Sequence, residues 1–163
     1  MPSTITTSSA PRVITVPDTQ TTRLYVSVRT RLQLEDGRLL HPEYIRLLRR
    51  FLRDRDYRHR RLEDTLAMFD SVQRGEERYI LPYKPHATHN VDTFFAYEAA
   101  VYKERLYEDL QPLGEDPRLT VLMAALAALT PLSPAAVPAD ALIREFIGGS
   151  VYYEDNVVDP TTV

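Results

Sequence analysis

The 163-residue chain contains no cysteine and no tryptophan, and it has only five glycines. Without cysteine, the sequence excludes a disulfide framework, thiolate zinc sites and a cysteine nucleophile. The few glycines leave little material for a phosphate-binding loop and argue against a nucleotide-binding α/β fold. No stretch approaches about 18 uncharged apolar residues, so we expect no transmembrane helix. We also expect no signal peptide, no membrane partner, no cofactor, and a cytoplasmic or particle-associated location.

Lysine is also scarce, because Lys84 and Lys103 are the only lysines among 20 basic residues. The charge is divided along the chain. Residues 1–97 carry 16 basic and 12 acidic side chains, a net charge of +4, whereas residues 98–163 carry 4 basic and 11 acidic side chains, a net charge of −7. This division predicts head-to-tail contact between copies, or an acidic partner for the first half.

Both ends of the sequence differ in composition from its middle. Residues 1–22 contain ten Ser or Thr and three Pro, which predicts an extended arm without its own core. Within this arm, Val13–Val16 is apolar enough to add an edge strand. Residues 151–163 form an acidic tail with a short docking or strand-like segment. The stretch between them, residues 23–150, is expected to be one globular domain.

Residues 23–40 predict a β-hairpin. Apolar and polar residues alternate from residue 23 to residue 34, the period of a half-buried strand, with Leu24 and Val26 on the apolar face. Asp36-Gly37 follows, and this dipeptide is favoured in type I′ turns. A short return strand over 38–40 completes the predicted hairpin.

From residue 42 to residue 149 the apolar period changes to that of a helix. The sequence therefore predicts a mainly α fold: a bundle of about five helices with a small N-terminal hairpin and two extended arms. The fourth helix is apolar all round over Val121–Leu129, so we expect it at the centre of the bundle. The predicted markers are Pro42 at the start of the first helix, Gly75 at the end of the second, Val91 to Leu110 for the third, Asp116-Pro117 at the start of the fourth, and Gly148-Gly149 after the fifth. The sequence leaves open whether the first two helices are one long helix or break near Asp56-Tyr57.

An arginine-rich run dominates the first two helices. It has eight arginines in 16 residues, opposed there only by Asp54 and Asp56, which gives a local net charge of +6. A helix face with this charge could bind phosphates, pair with the acidic half of another copy, or keep the helix soluble. Arg55 is the eighth arginine; the seven candidate partner- or phosphate-binding residues are Arg46, Arg49, Arg50, Arg53, Arg58, Arg60 and Arg61.

Within this run, an arginine, a polar residue and a histidine six positions after the arginine form the segment Arg53 to His59. This spacing resembles the catalytic motif of the HEPN ribonuclease superfamily, whose members are small helical bundles. The resemblance covers seven residues. It implies that His59 acts as general acid or base and that Arg53 stabilises the charged phosphate in the transition state.

A second group of candidates lies between the second and third helices. His86, His89 and Asp92 have the residue types of a 2-His-1-carboxylate metal site. The alternative is that the histidines are polar loop residues and that Asn90 or Asp92 caps the third helix. On this alternative no metal binds.

We expect a non-catalytic structural or interaction protein, a subunit that assembles with copies of itself or with other protein chains. The two arms and the divided charge motivate this expectation, and components of viral or phage particles share the general design. A nucleic-acid-binding protein with RNase-like activity is one alternative. A small metalloenzyme is the other.

Overall fold

The structure is a computed structural model, and it describes Pro17 and residues 20–152. Over these residues the fold is mainly helical, with five α-helices, one antiparallel strand pair and one parallel strand pair, which confirms the predicted fold class. Most of both predicted arms lies outside the described residues. None of the helices in the described part has the length and apolarity to cross a bilayer. The elements are β1 (Leu24–Ser27), β2 (Leu32–Gln33), β3 (Leu39–Leu40), α1 (Pro42–Arg58), α2 (Leu62–Tyr79), β4 (His89–Asp92), α3 (Glu98–Leu110), α4 (Thr120–Ala128) and α5 (Arg144–Ile147), with 3₁₀ turns at Leu81–His86, Gln111–Leu113 and Pro134–Ala136.

The predicted hairpin forms over its second half only. Strands β2 and β3 pair antiparallel, with Leu32 opposite Leu40. The backbone N–H of Leu34 donates to the carbonyl of Arg38, and Gly37 has a φ of +84°. This is a three-residue loop with glycine in the left-handed region, rather than the predicted two-residue turn. Strand β1 does not belong to the hairpin.

Helix α1 begins at Pro42, as predicted, and ends at Arg58, so the first two helices are separate and break close to Asp56-Tyr57. The break occurs at His59, whose φ of 49° is left-handed. The side chain of Asp54, which is fully buried, holds this corner: it accepts hydrogen bonds from Arg58, Arg60 and Thr65 at 2.9, 3.1 and 3.0 Å. The corner therefore depends on a carboxylate that joins the end of α1 to the start of α2.

Helix α2 does not stop at Gly75, so that prediction was wrong. It continues to Tyr79. A glycine inside a helix costs only about 0.5–1 kcal/mol. Contacts with α1 on both sides of Gly75 oppose this cost: Gln73 donates to Glu43 at 3.0 Å, and Arg46 lies 3.3 Å from Glu76.

The prediction for the start of the third helix was also wrong, because Val91 lies in strand β4 and α3 begins at Glu98. At this start, the Glu98 carboxylate accepts a hydrogen bond from the backbone N–H of Phe95 at 3.0 Å. Asn90 and Asp92 lie in β4, six or more residues before α3. They therefore do not cap α3.

The centre of the bundle is formed by α1 and α3 and not by α4, contrary to the prediction. Phe51 on α1 and Tyr102 on α3 are both completely buried. Helix α4 buries Leu122, Ala125 and Leu126, but its alanines at 127 and 128 are exposed. An alanine-rich helix looks apolar on all sides, yet alanine loses little by facing water. Uniform apolarity was therefore a poor guide to the position of this helix.

Candidate functional site

The unusual part of this fold is the parallel pair β1–β4. Leu24 pairs with His89 and Val26 pairs with Val91, across 65 residues of chain. Polar groups fix both ends of the pair. At one end, the backbone N–H of Arg23 donates to the Thr88 hydroxyl oxygen at 3.2 Å. At the other end, Asp92 accepts hydrogen bonds from the Arg29 N–H at 3.0 Å and from the Thr30 hydroxyl at 2.7 Å.

The pair turns its apolar face towards solvent. Leu24, Val26 and Val91 are 60, 57 and 41% exposed. Because side chains alternate along a strand, Tyr25 and Ser27 point the other way, and they are only half-buried. The sequence predicted that the apolar face of this strand would help to cover the core. Instead, Val28, just after β1, is buried in the core, and the apolar face of β1 is exposed to solvent.

Each strand of the pair also has an open edge, because the sheet has only two strands among the described residues. Parallel strands normally occur in sheets that are covered on both faces. An isolated two-stranded sheet is marginal in water, and an open edge is a template for another strand. The uncovered face and the open edges together form a candidate surface for contact with another chain.

A groove of about 480 Å³ runs beside this sheet, between β1 and helices α1 and α2. Phe69, Val72 and Ile80 of α2 and the adjoining turn give it an apolar wall, and no β4 residue lines it. Arg50 of α1 also lines the groove, and it forms no hydrogen bond or ion pair with any described residue. Burial lowers the pKa of Arg50; the nearby carboxylate of Asp54 opposes this shift, and the positive charges of Arg53, Arg58 and Arg60 add to it.

The other arginines of the run form ion pairs with carboxylates of the same chain. Seven of the eight lie close to a carboxylate, and the partners include residues of the acidic second half. The pairs are Arg46–Glu76, Arg49–Glu98, Arg53–Glu145, Arg55–Asp56 and Arg55–Asp109, Arg58–Asp54, Arg60–Asp54 and Arg61–Glu63. The divided charge is thus neutralised in part inside one molecule.

Two arginines of the run hold α5 against α1. The guanidinium of Arg53 donates to Glu145 at 2.8 Å. The Phe146 ring lies between Arg53 and Arg49, with guanidinium carbons 5.0 and 5.2 Å from the ring centroid. The sequence could not identify Glu98 and Glu145 as partners, since they lie 49 and 92 residues from their arginines. The excess of acidic residues in the second half was the only signal for them.

The proposed ribonuclease pair, Arg53 and His59, is not brought into contact. Arg53 is bound to Glu145 near the middle of α1, whereas His59 is the exposed residue after the last turn of that helix. Six helical positions also separate them by about 240° around the axis and about 9 Å along it. Within the described residues no hydrogen bond links the two side chains.

The three metal candidates do not converge either. His89 and Asp92 lie three positions apart on β4, so their side chains point to opposite faces of the strand. Asp92 accepts hydrogen bonds from Arg29, Thr30 and Phe94, and His86 lies in the preceding 3₁₀ turn beside Tyr83. No group of three or more metal-ligating side chains occurs in the part of the chain that the structure describes.

Comparisons of the chain with protein-family models, with curated proteins and with solved structures gave no match.

Proposed function

We propose that this protein is a non-catalytic subunit of a larger assembly and that it contacts copies of itself through the β1–β4 pair. The observation that supports this most strongly is the uncovered apolar face formed by Leu24, Val26 and Val91. A second copy that covers this face would remove apolar side chains from water, which is the main driving force of association. It would also give the strand pair the cover that parallel strands need.

The N-terminal arm supplies a segment suited to the open edge of β4. Val13–Val16 is a run of β-forming residues between Pro11 and Pro17, and its length of four residues equals that of β1 and of β4. Prolines cannot continue a hydrogen-bonded ladder, so they limit the added strand to this run. In the proposed mechanism, the arm of one copy adds this strand to the β4 edge of its neighbour.

Deletion of residues 1–22 tests the role of the arm. We expect the mass in solution, measured by light scattering, to fall towards that of one truncated chain, which is below the 18.7 kDa of the full-length chain. We expect the helical signal in circular dichroism to stay the same, because the core residues of all five helices lie after residue 40. An unchanged assembly after this deletion would count decisively against the proposal.

A further inference from the structure

The groove beside β1 has the chemistry of a site for an acidic peptide. It combines the apolar wall of Phe69, Val72 and Ile80 with the cation Arg50. The second arginine in the groove, Arg46, is already paired with Glu76 at 3.3 Å. Arg50 is partly buried, and the single nearby carboxylate, Asp54, is outnumbered by three arginines, so a carboxylate brought next to Arg50 would be bound more strongly than one on an open surface.

The C-terminal segment of the chain has the matching composition. Residues 153–163 contain Glu154, Asp155 and Asp159 and no basic residue, and Val157-Val158 lies between the carboxylates. The N-terminal arm does not match in this way, because residues 1–22 contain one acidic side chain, Asp18, and one basic side chain, Arg12. Charge complementarity therefore favours the C-terminal segment over the arm as the occupant of the groove.

We propose that residues 153–163 of a second copy bind in the groove between β1 and α2, with a carboxylate of that segment on Arg50 and the two valines against the wall formed by Val72 and Ile80. This inference rests on the self-assembly proposed above and names one of its contacts. The contact is heterologous, because the tail of one copy meets the groove of the next, and such contacts build rings or filaments.

Helix α5 leaves the groove open. The described chain ends at Tyr152, shortly after α5, which packs on the side of α1 that carries Arg49 and Arg53. At 100° per residue, Arg46 and Arg50 lie about 60° around the axis from that pair, towards α2 and the groove. No α5 residue lines the groove, so it is open to the tail of a second copy.

Charge reversals in the full chain test this contact. One variant carries Arg50→Glu, and a second carries Glu154→Lys, Asp155→Lys and Asp159→Lys together. Arg74→Glu is the matched control, because Arg74 is an exposed arginine on α2 that does not line the groove. The dissociation constant for self-association, measured by analytical ultracentrifugation, should rise at least about tenfold in both variants and change less than about twofold in the control.

Mixing the two weakened variants then distinguishes a contact between copies from a contact within one chain. In the mixture, the acidic tail of the Arg50→Glu chain meets an intact groove, and the lysine tail meets Glu at position 50. We expect the mixture to recover self-association close to the wild-type constant. Recovery would also show that both variants are folded. Arg50→Gln, which introduces no negative charge beside Asp54, should show a smaller weakening of the same kind.

Each negative result has a separate meaning. A wild-type chain that stays monomeric at all concentrations would overturn both the proposed function and this contact. A wild-type chain that assembles, with both reversals at the wild-type constant, would overturn only the groove contact and leave assembly to the β1–β4 surface. Each variant alone could weaken self-association while the mixture fails to recover it. That result would overturn the second-copy contact, because the tail would then bind within its own chain.

Discussion

Arg49 of α1 and Glu98 of α3 form a buried, bidentate ion pair. The Nε atom of Arg49 lies 2.8 Å from Oε2 of Glu98, and Nη2 lies 3.0 Å from Oε1. Tyr102 donates its hydroxyl proton to the same carboxylate at 3.0 Å. Burial raises the pKa of Tyr102 well above its usual range, so the hydroxyl remains a donor. This cluster fixes how the two central helices sit against each other.

Replacing Glu98 by Gln should therefore destabilise the fold. The substitution leaves the Arg49 charge buried without its counter-ion, and breaking a buried pair in this way costs about 3–5 kcal/mol. Urea unfolding followed by circular dichroism measures the change. Glu63→Gln is the control: it breaks the exposed Arg61–Glu63 pair, whose side chains are 74 and 49% exposed, and should leave the free energy of unfolding nearly unchanged. Equal effects of the two substitutions would contradict the assigned role of Glu98.

Thr65 should contribute to the corner between α1 and α2. Its hydroxyl is completely buried and donates to Asp54 at 3.0 Å. Thr65→Val keeps the shape but removes this hydrogen bond, so the free energy of unfolding should fall by about 1–3 kcal/mol. Thr130→Val, at an exposed threonine, is the control. If the two variants unfold at the same urea concentration, the corner does not depend on this contact.

His59 occupies a left-handed position that favours glycine. The backbone φ there is 49°, a conformation that costs a residue with a Cβ atom about 1–2 kcal/mol. We expect His59→Gly to raise the free energy of unfolding by about 1 kcal/mol, and His59→Ala to give no such gain. A loss of stability in the glycine variant would show that the imidazole makes a contact that outweighs the strain.

The Asp116–Arg118 pair gives a prediction for pH. Hydrogen bonds from the side chain and the backbone of Arg118 lower the pKa of Asp116 from 3.8 to about 2. The folded state thus favours the ionised carboxyl, and the contribution to stability is present above pH 3.8 and is lost as the pH falls towards 2. An NMR titration should place the Asp116 midpoint near pH 2 in the wild type and closer to 3.8 in Arg118→Gln. An unshifted midpoint in the wild type would contradict the pairing.

The helices were largely predictable because their signals are local. The spacing of Leu47, Leu48, Phe51 and Leu52 and the position of Pro42 describe α1 without reference to any other part of the chain. Gly75 misled the prediction for α2, since its small intrinsic cost is outweighed by contacts with α1. The arginine run was recognisable as a feature, but its partners were not, because Glu98 and Glu145 join it only through the fold.

The candidate surface was the least predictable feature. Alternation identified β1 as a strand, but alternation cannot say which face meets the core. Strand β4 is only four residues long, and its partner lies 65 residues earlier, so Val91 was assigned to the helix that follows. The groove depends on three separated segments. The local pattern of apolar and polar residues carries no information about contacts between segments so far apart in the sequence.

The central claim is that the apolar face of the β1–β4 pair is an interface between copies. The most direct test compares the mass in solution of wild type, Val91→Asp and Leu142→Asp by size-exclusion chromatography with light scattering and absorbance at 260 and 280 nm. Val91 is 41% exposed on this face and does not line the groove, and Leu142 is the control, since it is 43% exposed but lies outside the sheet. We predict that wild type and Leu142→Asp run as assemblies with a protein-like absorbance ratio, and that Val91→Asp shifts towards a single chain of 18.7 kDa. Equal masses for all three proteins, or an assembly whose raised 260 nm absorbance disappears with salt, would contradict the claim.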